Sequence, residues 1–114
     1  NYSMLTTKKK LINKYFKDFN NHNLNELSKN FSKNVHLNDW EVNIKGLSKV
    51  LQANEKIFKN FPLIKVNIKR IFINKNIVFS TLLIRLKKNK TINVVDMFTI
   101  NKRNKISKIR AYLG

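Results

Sequence analysis

Pro62, the only proline in the chain, separates two hydrophobic periodicities. A sequence that changes period once has few folds open to it. Before Pro62 the apolar residues recur at helical spacing. From about Thr7 to Asn20, Leu11, Ile12, Tyr15, Phe16 and Phe19 form the stripe of an amphipathic helix whose other face is Lys and Asn. Asn23 can cap a second, short helix carrying Leu24, Leu27 and Phe31, with Glu26 at the capping-box position. "NVHLNDW", residues 34–40, then alternates as a strand with Val35, Leu37 and Asp39 on one face. Gly46 opens a third helix, buried through Leu47, Val50, Leu51, Ile57, Phe58 and Phe61, and Pro62 stops it. After Pro62 the period becomes two. Residues 63–74, 76–87, 91–100 and 105–113 read as long strands joined by short Lys/Asn-rich turns. The implied class is α+β: three helices from the N-terminal half packed on one face of a curved antiparallel sheet. With two glycines, one proline and no repeat, the 114 residues hold no linker, and residues 1–114 read as a single domain.

One strand contains an anomaly. In "TINVVDMFTI", residues 91–100, the row Ile92, Val94, Phe98 and Ile100 faces the core, and Asp96 sits inside it. An isolated carboxylate in an apolar interior costs several kcal/mol, so Asp96 is protonated, paired, or open to a cavity. Register discriminates between these states. If Asp96 lies opposite Arg110 it gains a salt bridge but turns Arg and Lys side chains inward. If it lies opposite Ala111, Val94 meets Leu113 and Phe98 meets Ile109. Hydrophobic matching favours Ala111, which leaves Asp96 facing a gap.

Tyr15 lies on the apolar stripe of the first helix, where its hydroxyl needs a buried partner or a ligand. A phenol and a carboxylic acid kept neutral by desolvation, aimed into one dry cavity, can stabilise a developing enolate oxygen. Asp39 ends its strand beside Trp40, a position suited to a partly solvated, ionised proton shuttle.

These residues sit within a wider pattern. The run "LINKYFKDFNNHNLNELSKNFSKNVHLND", the pair Lys45–Gly46 before the third helix, and the closing "INVVDMFTINKRNKISKIRAYLG" resemble the ketosteroid isomerase and SnoaL-like branch of the nuclear transport factor 2-like superfamily. The resemblance implies a curved sheet wrapped on helices to form a conical pocket, and a homodimer. It matches the isomerases' oxyanion tyrosine to Tyr15, their catalytic base to Asp39 and their protonated acid to Asp96, and it puts Asn54 where they carry a supporting tyrosine. The expected pocket lining is Phe19, Leu37, Trp40, Phe58, Phe61, Val94, Phe98 and Ala111. The implied activity is cofactor-independent proton transfer next to a carbonyl of a small apolar molecule, of isomerase or lyase type. The alternative is a non-catalytic small-molecule-binding or dimerisation domain, because this fold hosts both.

The net charge of +18 invites a nucleic-acid reading. The basic residues are 20 Lys against 4 Arg, alongside 19 Asn and 13 Ile, as A/T-rich codons yield when a surface drifts. The runs "KKNK" (87–90) and "NKRNK" (101–105) fall at opposite ends of one strand, roughly 30 Å apart. A nucleic-acid partner is therefore not expected. Ile77, Phe79, Leu83, Val95 and Met97 make the outer sheet face apolar, which points to a second copy of the chain covering it. With no cysteine there is no disulfide or thiolate metal site, and neither His22 nor His36, both expected at the surface, suggests a metal ligand. The opening residues show no signal-peptide pattern and no run is long enough to span a bilayer, so a cytoplasmic protein without membrane attachment is expected.

Overall fold

The computed structural model describes residues 2–114. They form α1 (Tyr2–Asn20), α2 (Leu24–Ser28), β1 (Phe31–Asn38), β2 (Asn43–Lys45), α3 (Leu47–Asn60), β3 (Lys65–Asn74), β4 (Ile77–Lys87), β5 (Lys90–Ile100) and β6 (Ile106–Leu113). The six strands make one curled sheet in the order β2-β1-β6-β5-β4-β3. Three features depart from the sequence expectation. The short β2, which pairs with β1, has no counterpart in it. The ladder between β1 and β6 is parallel, while the other four are antiparallel. Phe31 opens β1 instead of extending the second helix, and its buried ring meets Tyr15 edge-on at 5.7 Å between centroids.

Local chemistry sets the helix ends. The Asn23 side chain caps α2 by accepting the Glu26 N–H at 3.0 Å. Gly46 precedes α3 at φ 100°, a backbone region open mainly to glycine, and its N–H donates to Val35 O at 2.9 Å. α3 ends at Asn60, ahead of Phe61 and Pro62, because the residue before a proline is pushed out of the helical region.

The helices cover the concave face of the sheet, with α1 against β3 and α3 against β1. Ile12, Leu27, Val35, Val50, Val78, Phe98 and Ile106 are almost wholly excluded from water between these layers. Burial of each such side chain contributes about 1.5–3 kcal/mol, and this is the main force holding the layers together. Polar side chains then fix the position of α1. The Asn20 amide donates to Val66 O at 2.9 Å and accepts from Val66 N at 2.7 Å, so it imitates a strand neighbour at the edge of β3. At the other end, the Lys8 ammonium donates to Lys75 O in the turn after β3.

Beneath α2, the buried Asp18 carboxylate accepts from Lys14 Nζ at 2.7 Å and from Asn30 Nδ2 at 2.9 Å. His22 is not a plain surface residue. It is half-buried, stacked on Phe58 at 4.3 Å with its Nε2 3.2 Å from Ile64 O. Asn30 is 1 % exposed, so Asn30→Ala leaves a buried carboxylate short of a donor and is expected to cost about 1–3 kcal/mol. Urea unfolding measures this, and an unchanged midpoint would show that the Asp18–Asn30 bond carries no stability.

Candidate active site

The sheet's curl and the helices above it enclose a cavity of about 370 Å³. This falls at the small end of the size range of ligand pockets. Tyr15 reaches it from α1, Asp39 from the turn after β1, and Asp96 from the middle of β5. The three polar residues singled out in the sequence therefore line one space. Around them the wall is apolar, with Leu37, Phe61, Val94 and Ala111 on it as expected, together with Phe19 and, at the mouth, Trp40. Phe58 and Phe98 are corrections. Both point to the concave side but lie behind the wall, Phe58 against Phe19 at 5.0 Å and Phe98 against Tyr15 at 5.5 Å. Sequence reasoning missed the β4 lining residues Leu82, Ile84 and Leu86, which the same period-two rule would have found once the cavity was located.

The β5–β6 register sets Asp96 opposite Ala111, with Val94 opposite Leu113 and Phe98 opposite Ile109, as hydrophobic matching required. Arg110 consequently points to the outer face, its guanidinium 4.8 Å from the centre of the Tyr112 ring. Asp96 is 7 % exposed, and no described residue hydrogen bonds or ion-pairs with its carboxyl group. Burial, and then the negative charge of Asp39, push its pKa from the ordinary 3.8 up to about 7. Near neutrality a large share of Asp96 thus keeps its proton and can donate it. Tyr15 is 6 % exposed, its hydroxyl likewise meets no described partner, and burial followed by the charge of Asp96 holds the phenol well above its usual pKa. Tyr15 is accordingly a donor at any physiological pH.

Asp39 is placed differently. It is only partly buried, and its Oδ1 accepts from Glu41 N at 2.7 Å and Val42 N at 2.8 Å, closing the turn into β2. One oxygen anchors the turn, and the other accepts no hydrogen bond from a described residue. Asn54, on α3, is 5 % exposed and turns its Nδ2 back to Val50 O at 2.9 Å. No group of three or more His, Cys, Asp or Glu among the described residues could hold a metal ion.

No family model matches the chain, and no curated protein matches it by sequence. Solved structures do match. A candidate ketosteroid isomerase from Kribbella flavida DSM 17836 superposes with a TM-score of 0.83 at 14 % identity, over 96 % of this chain and 78 % of that one. A candidate SnoaL-like polyketide cyclase from Jannaschia sp. CCS1 gives 0.84 at 10 % identity, covering 95 % and 85 %. A nuclear transport factor 2-like protein of unknown function from Cytophaga hutchinsonii ATCC 33406 gives 0.82 at 19 % identity, covering 94 % and 89 %. The chain has the nuclear transport factor 2-like fold.

An acid whose folded pKa lies above its unfolded value binds its proton more tightly in the folded state. Its contribution to stability is complete in acid and is lost as pH rises from about 4 to about 7. The unfolding midpoint of the wild type should therefore fall between pH 5 and pH 8 relative to that of Asp96→Asn, whose amide does not titrate. Parallel curves for the two proteins would contradict a proton-retaining Asp96.

Proposed function

We propose that the cavity is the active site of a cofactor-independent enzyme that moves a proton next to the carbonyl of a small apolar molecule, in the manner of ketosteroid isomerases. One observation carries this reading: Tyr15 and Asp96, buried groups with no hydrogen-bond partner among the described residues, line the same apolar cavity as the anchored Asp39, and Asp96 holds its proton up to about pH 7. A substrate carbonyl oxygen placed between Tyr15 and Asp96 receives both hydrogen bonds. The free oxygen of Asp39 removes a proton from the adjacent carbon, and the C–H electrons become the enolate. Negative charge then develops on an oxygen that the two donors already face, in a site where water does not screen them. Asp39 returns the same proton to a different carbon, the enolate collapses, and the double bond has moved. The likeness to the Kribbella and Jannaschia proteins supports the fold that this chemistry uses, and the placement of Tyr15, Asp39 and Asp96 on one cavity supports the roles.

Asp39→Asn is expected to lower kcat on a β,γ-unsaturated cyclic ketone by about 10²–10⁴-fold, the usual contribution of a general base, while leaving affinity for a phenolic mimic of the enolate intact. Absorbance of the conjugated product measures the first effect and calorimetry the second. Wild-type turnover by Asp39→Asn would end the proposal. A second reading, a pocket that binds without chemistry, is favoured by Asn54, whose amide supports α3 and leaves Tyr15 without a neighbouring hydroxyl. Tight ligand retention with no turnover across unsaturated ketones and lactones would select it.

The partner we propose for the outer sheet face is a second copy of the chain. Phe72, Phe79 and Tyr112 are 53 %, 37 % and 47 % exposed there, and Phe72, Phe79 and Met97 form one continuous cross-strand row. Pairing two such faces removes the rows from water. It also brings Arg70, Arg85 and Arg110 of both copies together, and no acid lies on the outward rows of β3–β6 to offset them. Association should consequently tighten as salt is raised, since screening relieves like-charge repulsion. Sedimentation at micromolar concentration checks this, and a monomer at every salt concentration would refute it.

A further inference from the structure

The inward row of β4 holds a second polar anomaly. Val78, Leu82 and Ile84 alternate toward the core or the cavity, and Ser80 stands between Val78 and Leu82 with 0 % exposure. Its Oγ is the only fully buried side-chain oxygen or nitrogen among the described residues that has no hydrogen-bond partner. Its neighbour across the β3 ladder is Ile71, which offers nothing polar. Its neighbour across the β5 ladder is Asp96. The unpartnered hydroxyl and the unpartnered carboxyl are thus directly opposed on one face of adjacent strands, where Cβ atoms lie roughly 4.5–5.5 Å apart. Rotation about the side-chain bonds of two such neighbours can bring an O–H and a carboxylate within hydrogen-bonding distance.

We propose that Ser80 is the positioning partner of Asp96, donating its O–H to the carboxylate and thereby fixing both the orientation of that group in the cavity and the pH at which it gives up its proton. No other group around Asp96 offers an unpartnered donor directly across a strand ladder. Tyr15, from α1, lines the cavity without hydrogen bonding to Asp96, and Asp39, beyond β1, contributes only negative charge. α3 brings the neutral Asn54, whose Nδ2 is committed to Val50 O, and β6 brings Ala111. Glu41 and Lys90 line the exposed mouth. A hydrogen bond donated to the charged form favours that form, so Ser80 opposes the burial that keeps Asp96 neutral. Its effect is to lower the titration of Asp96 from the value that burial and the charge of Asp39 set by themselves.

The inference rests on the proposed role of Asp96 for its use but not for its test. Carboxyl carbon-13 resonances of the full chain are followed against pH, with Asp96→Asn identifying the Asp96 signal. Ser80→Ala is expected to raise the Asp96 midpoint by about one pH unit, a tenfold tighter hold on the proton. Ser80→Thr, which keeps a hydroxyl, should return it toward the wild-type value, and Ser80→Val, which has the shape of Thr without the hydroxyl, should raise it as Ala does. Should Ala or Val fail to fold, the other supplies the measurement. A midpoint unmoved by loss of the hydroxyl, or moved equally by Thr and Val, would overturn the assignment. Because no substrate enters the measurement, the Ser80–Asp96 link and the proposed catalysis can fail separately: a shifted midpoint in a protein that turns over no ketone removes only the second.

Discussion

The register of the β5–β6 ladder decides what kind of cavity this fold contains. Because side chains alternate across a strand, sliding β6 by one residue would exchange Ala111 for Arg110 opposite Asp96 and turn the cations of β6 into the pocket. The same carboxyl group would then be an ordinary salt-bridged acid. Matching Val94 with Leu113 and Phe98 with Ile109 prevents the slip, so apolar packing at either side of Asp96 keeps its charge without compensation. The hydrophobic core thus determines the acidity of a residue it does not contact through any polar bond.

That acidity also withstands the chain's own electrostatics. With 24 Lys and Arg against 6 Asp and Glu, the average field favours ionised carboxylates. Most of those cations stand in water, where interactions fade over roughly 8–10 Å. Desolvation acts on Asp96 directly and outweighs them. Half of the six acids, Asp39, Glu41 and Asp96, line the cavity.

Sequence patterns resolved much of the architecture and less of its depth. The helices, their Asn23 and Gly46 boundaries, the long strands and the Asp96–Ala111 pairing follow from local periodicity and from matching one hairpin. The parallel β1–β6 ladder joins strands far apart in the chain, and alternation carries no information on direction. The three residues of β2 are too few to show a period. Phe31 satisfies the helical spacing of α2 equally well, and its pairing with Ile106 across the parallel ladder and its edge contact with Tyr15 distinguish the two placements. Phe58 and Phe98 were assigned to the right face, but period alone does not say how many layers separate a side chain from a cavity. Ser80 gave no warning, since an isolated serine in a strand is small enough to pass as neutral. Its significance depends on which residue lies across the ladder.

The stitching of Asn20 to both backbone groups of Val66 ties α1 to the edge of β3. α1 is one wall of the cavity, and lifting it aside would strip β3, an outermost strand, of the amide that occupies its free edge, leaving a template for pairing with other chains. Traffic by that route would carry an aggregation hazard. By contrast, Trp40 and Leu113 line the cavity and are 45 % and 50 % exposed.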